Sequence, residues 1–156
     1  MIDTSKEASI EPPTTEEIIS DIRKKFNEIN QNTASYEAKS KEIMGESTEG
    51  GELNSYFENE ELKKMVANYF GEMGRSIEEY YFSENNVFFV FTQQLSYDKP
   101  MYVEGSKAIK TDENRYYFHN DQLIQWLDTN KEKVPNSSFN QKESELFEKI
   151  KALMEK

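Results

Sequence analysis

Cysteine is absent from this chain of 156 residues, which removes disulfides, thiolate catalysis and Cys-based zinc sites together. Histidine occurs once, as His119, and a lone imidazole is weak for a transition metal, which is normally held by several nitrogen or sulfur ligands. Basic residues are short: 19 Lys and Arg face 30 Asp and Glu. The resulting formal charge of -11 repels phosphate backbones and anionic headgroups at long range, so nucleic acid and anionic membrane surfaces are poor partners. No apolar run approaches the roughly 20 residues a membrane-spanning helix needs, and the N-terminus lacks the basic start and apolar stretch of a signal peptide. There is no calcium loop of alternating Asp and Asn, no phosphate-binding glycine loop and no Gly-x-Ser-x-Gly elbow, so those enzyme classes drop out. No metal and no cofactor is expected.

What the chain does have is aromatic residues. They make up 13% of a composition whose apolar fraction is only 35%, so a few large rings must supply the core that aliphatics do not. They also recur in a pattern: Tyr56-Phe57 to Leu62, Tyr81-Phe82 to Val87, and Tyr117-Phe118 to Leu123. Each copy is an aromatic pair, four residues rich in Asn, Glu, Asp and Ser, and an aliphatic, the composition of a tight link between antiparallel strands. The repeat predicts a meander of hairpins and carries no chemistry of its own.

The remaining elements follow from punctuation and period. Residues 1–14, with Pro12-Pro13 near their end, read as a flexible tether, and residues 15–156 as a single α+β domain. Thr14 with Glu17 is a capping-box pattern that starts a helix near Thr15. Ile18, Ile22, Phe26, Ile29, Thr33, Tyr36, Ser40 and Ile43 then recur at steps of three and four, predicting a helix to about Met44, weakened at Asn30 to Thr33 and stopped by Gly45. Six strands are expected near 52–57, 62–70, 77–83, 87–95, 114–119 and 122–128. The connection from Ser96 to Glu113 is unusually long, with a short extra strand expected at Met101-Tyr102-Val103. Ser138 with Gln141 opens a closing helix whose apolar face is Phe139, Leu146, Phe147, Ile150, Leu153 and Met154. The run Val87-Phe88-Phe89-Val90-Phe91 is apolar on both sides, so that strand should be central and covered twice.

Candidate chemistry is thin. His119 sits at the turn position that Glu58 and Ser83 hold in the other copies, and so reads as a solvated turn residue. Glu78 and Glu79 are neighbours on a strand and must face opposite ways, so they cannot act on one substrate together. Glu49 and Glu52 flank Gly50-Gly51, whose glycines are explained by backbone turning. Asn136-Ser137-Ser138 matches a glycosylation acceptor but reads as helix capping. The tyrosines exceed what a small core needs, and their hydroxyls prefer wet or hydrogen-bonded positions. Alternation puts Tyr80 and Tyr116 on one face with Phe57, Phe82 and Phe118, and Tyr56, Tyr81 and Tyr117 on the other. One face must be core, and the opposite one is a candidate ligand surface. The residues singled out as ligand-binding are Tyr80, Tyr116, Tyr102 and Tyr97.

At Glu49-Gly50-Gly51-Glu52-Leu53, Tyr69-Phe70-Gly71-Glu72, Glu79-Tyr80-Tyr81-Phe82 and Phe88-Phe89-Val90-Phe91 the chain resembles a group of small uncharacterised bacterial proteins of exported or lipoprotein type, common in the Bacteroidetes. The resemblance spans roughly residues 16 to 155 and implies no activity, cofactor or catalytic residue. It does imply a periplasmic or cell-surface home, where a cytoplasmic protein is the alternative; a protein or polysaccharide of the envelope is then the expected partner, and the tether fits a secreted protein or one lipid-anchored in a longer precursor. The function expected is a non-enzymatic binding or assembly module using an aromatic sheet face and the 96–113 loop. The rival is a carboxylate-dependent hydrolase of envelope polysaccharide.

Overall fold

The structure, a computed structural model, describes residues 12–43 and 50–155. Most of the expected tether, the Gly45 stop and Glu49 lie outside the described residues. Helix α1 spans Thr15–Asn32 and is followed by strands β1 (Glu37–Ile43), β2 (Gly51–Glu58), β3 (Glu61–Phe70), β4 (Gly74–Ser83), β5 (Asn86–Tyr97), β6 (Ala108–His119) and β7 (Gln122–Leu127), then helix α2 (Phe139–Glu155). The seven strands pair antiparallel in sequence order, so the fold is α+β with a pure meander.

The aromatic repeat encodes one hairpin three times. In each copy two residues link the strands, Asn59-Glu60, Glu84-Asn85 and Asn120-Asp121, and both have positive φ, between 49° and 68°. That pair of left-handed residues is the signature of a type I′ turn, whose twist matches that of the flanking strands. In each copy the register then slips by one residue, because Phe57, Phe82 and Phe118 face Leu62, Val87 and Leu123 while Tyr56, Tyr81 and Tyr117 face Lys64, Phe89 and Gln125. Lys63, Phe88 and Ile124 are thus bulge residues without a partner on the preceding strand. The bulge is why Phe88 and Phe89, adjacent in sequence, both pack on the same side.

The sheet has a core on each face. On one, α2 lays Leu146, Ile150 and Leu153 onto Met65, Tyr80, Val90, Tyr116 and Phe118. On the other, α1 lays Ile19, Ile22 and Ile29 onto Tyr81, Phe88, Phe89 and Tyr117. The central strand is therefore covered twice, as the apolar run predicts, and the second cover is the closing helix.

Three expectations need correction. The first helix ends at Asn32, and after a 3-10 turn at Thr33–Ser35 the stretch expected to continue it is edge strand β1. Thr33 Oγ1 donates to the Ile29 carbonyl at 2.7 Å and Asn32 Nδ2 to that of Glu28 at 2.8 Å, tying off the last turn of the helix. Beyond it, pairing with β2 along the full length of β1 overrides the helical spacing: Tyr36 still packs against the core under α1, but Ser40 is exposed. The expected long connection is shorter, Asp98 to Lys107, because β5 and β6 both extend into it. Within it, Met101 to Val103 form a turn and a bend rather than a strand.

Candidate binding surfaces of the sheet

The segment Glu78-Glu79-Tyr80-Tyr81 writes the same polar unit on both faces. Toward α2, the Tyr80 hydroxyl donates to Glu78 Oε1 at 2.8 Å, and Lys149 of α2 meets Glu78 Oε2 at 2.8 Å. Toward α1, the Tyr81 hydroxyl donates to Glu79 Oε1 at 2.5 Å and lies 3.2 Å from Asn30 Oδ1 of α1, which accepts from Lys64 Nζ at 2.8 Å. Each helix is thus fastened to the sheet by a buried Tyr paired with a half-buried Glu, and the two glutamates face opposite ways, as strand geometry requires. Burial, and then the neighbouring Glu78 carboxylate, raises the Tyr80 pKa well above its ordinary value; burial and Glu79 do the same for Tyr81. Burial pushes Tyr116 up to about 12, a hydrogen bond with Thr92 opposing it.

The structure does not bring the four candidate tyrosines to one surface. Tyr80 and Tyr116 are 0% and 3% exposed under α2, so the face they share is core and not an open platform. The alternation that assigned them to a common face is right, and so is the double cover that the apolar run of β5 predicts; the expectation of an open aromatic face beside it is what the docked helices overturn. Tyr97 is half-buried at the end of β5, its backbone N–H donating to the Met73 carbonyl at 2.8 Å. Tyr102 is 74% exposed, with its hydroxyl donating to Glu72 Oε1 at 2.7 Å. His119 is exposed at the end of β6.

Tyr97 and Tyr102 belong to an assembly at one end of the sheet. The Asp98 to Lys107 loop folds onto the turn between β3 and β4, where Met101 N–H donates to the Glu72 carbonyl at 2.7 Å and Asp98 N–H to that of Lys107 at 3.1 Å. Gly74 permits the close approach of β4 and β5 beneath it, since a Cβ there would lie 2.5 Å from the Leu95 carbonyl oxygen. Six large apolar residues are exposed among the described residues, and five of them, Met73, Met101, Tyr102, Val103 and Ile109, gather here. Met73 and Ile109 escape a sequence reading because each is a single apolar residue among polar neighbours.

A second feature lies between α1 and the sheet, where a cleft of about 300 Å³ opens over β5 and β6. Phe26, Phe89, Phe91 and Tyr117 form its walls, and Arg23 and Arg115 are its charged residues. Phe26 meets Phe89 edge to face at 5.2 Å, Phe89 lies 5.0 Å from Tyr117, and the Arg115 guanidinium stacks 4.8 Å from the centre of the Phe91 ring. None of these residues stands out in the sequence as a site, because the cleft is assembled from a helix and two strands far apart along the chain.

No family model matches the chain, and no curated protein or solved structure is similar to it. No helix among the described residues is long and apolar enough to cross a membrane.

Proposed function

We propose that the protein is a non-enzymatic binding or assembly module of the bacterial envelope that docks another protein through the end of its sheet. The observation that carries this reading is the gathering of Met73, Met101, Tyr102, Val103 and Ile109 on the Asp98 to Lys107 loop and its neighbours, when the sixth exposed large apolar residue among the described residues, Met154, lies apart on α2. Methionine, valine and isoleucine favour a protein over a polysaccharide: flexible thioethers repack against an uneven apolar partner, whereas a sugar needs ring platforms flanked by hydrogen-bonding groups. The envelope location rests on the resemblance to exported domains. The hydrolase reading gains nothing from Glu78 and Glu79, which face opposite layers, each engaged by a tyrosine and a lysine.

The test is capture from native envelopes by immobilised wild-type protein, a Met101→Asp/Ile109→Asp variant, and a control altered at the opposite end of the sheet, Asn85→Asp. A protein retained by wild type and control but lost with the double variant is the expected result. Equal capture by all three, or none by any, would overturn the proposal.

A further inference from the structure

The cleft under α1 has a chemistry distinct from the loop patch. Its walls are rings, yet both of its charged residues are cationic, in a chain whose net charge is -11. Arg115 is held on two sides: its guanidinium lies over the Phe91 ring, and Nη2 donates to Glu113 Oε2 at 3.0 Å. A planar guanidinium fork fits a carboxylate better than any other common anion except phosphate.

The occupant must satisfy both parts. A neutral hydrocarbon would suit the rings but make no use of the two guanidinium groups that line the cleft. Inorganic phosphate would pair with the arginines but strip water from itself against apolar walls. An organic cation would find the rings attractive but meet two guanidinium groups. A flat ring bearing one carboxylate meets every demand, and the cleft's volume stands at the small end of ligand pockets.

We propose that the cleft between α1 and strands β5 and β6 is a binding site for small aromatic carboxylates, with the ring among Phe26, Phe89 and Phe91 and the carboxylate on Arg115, assisted by Arg23. The site is separate from the loop patch, and either can stand without the other.

Phenylacetate is the probe, added to the full chain and followed by calorimetry and by the Ile22 methyl resonance at the cleft. Phenethylamine serves as the cation of the same shape, and inorganic phosphate as the ion without a ring. The expected result is saturable phenylacetate binding that shifts Ile22, weaker or absent binding of the other two, and at least about a tenfold loss of affinity in Arg115→Gln with partial recovery in Arg115→Lys. Met101→Asp should bind phenylacetate like wild type. Because Arg115 also braces Phe91 and Glu113, Arg115→Gln could fail to fold; Arg23→Gln, on an exposed helical position, then decides by weakening phenylacetate binding without altering the circular dichroism. Phenethylamine binding as tightly as phenylacetate, no saturable phenylacetate binding up to about 10 mM, or an unchanged affinity in the arginine variants would overturn the proposal.

Discussion

Single side chains explain how this sheet tolerates tyrosine in its interior. Tyr80, Tyr81 and Tyr116 are all buried, and the first two keep their hydroxyls satisfied by donating to the glutamate two residues earlier. The proton on each phenol is therefore part of the fold. Burial raises the Tyr116 pKa from 10.0 to about 12, and Tyr80 and Tyr81 are raised as well. Since the folded values lie above the unfolded one, the unfolded chain releases these protons first. Their contribution is fully present below about pH 10 and is lost as pH rises through the folded values. Urea midpoints should therefore fall steeply between pH 10 and pH 12, and the part of the tyrosinate absorbance owed to these buried phenols should rise together with unfolding rather than before it. Lysines titrate in the same range, so Tyr116→Phe isolates the effect: its midpoint should decline less steeply than that of wild type across this window. Parallel slopes would assign the alkaline loss to other groups.

Elements show which parts of the fold were legible. The three hairpins were, because everything that makes them is local: a turn pair able to take positive φ, a flanking Tyr-Phe pair and one aliphatic. Even so, two of the central turn residues are glutamates, which adopt the left-handed region at a cost of roughly 1 to 2 kcal/mol. Glu60, at φ 68°, can be relieved, since Glu60→Gly creates the Asn-Gly pair that type I′ turns favour. That variant should raise stability by about 0.5 to 1 kcal/mol in urea unfolding, after the added freedom of the unfolded glycine is subtracted. Glu60→Val should lower it by about 1 kcal/mol, since a β-branched side chain tolerates positive φ least. A glycine variant less stable than wild type would remove the type I′ account of the repeat. Strand β1 was illegible for the opposite reason. Of its seven residues only Ile43 is buried, so nothing in Glu37 to Glu42 signals a strand until β2 is there to pair with it. The cover over Tyr80 and Tyr116 was legible in part: the apolar run of β5 and the apolar face of α2 announce a strand covered twice, but alternation alone does not tell which tyrosines α2 docks on.

At the scale of the whole molecule, helices on both faces leave the two sheet edges as the remaining open backbone. The β7 edge is closed by the chain's own return, where Val134 N–H donates to the Trp126 carbonyl at 2.9 Å, Lys133 bridges to Leu127, and Glu143 of α2 accepts from Leu123 N–H at 2.9 Å. The β1 edge pairs only with β2 among the described residues and is exposed along most of its length. What it presents instead is charge, with Glu37, Lys39, Lys41 and Glu42 in a stretch of six residues. Charged edge strands resist pairing with a second chain, because an approaching strand must strip water from ammonium and carboxylate groups. If that is what keeps β1 from recruiting another copy, Lys39→Val/Lys41→Val should convert the edge into a template. The double variant should then associate with rising concentration in light scattering and gain strand signal in circular dichroism. Lys24→Val/Lys151→Val, which removes the same two charges from exposed helical positions, should stay as dispersed as wild type. Both double variants lower the net charge from -11 to -13, so a difference between them cannot come from overall repulsion. Equal dispersion of the two would show that β1 is protected by something other than its lysines.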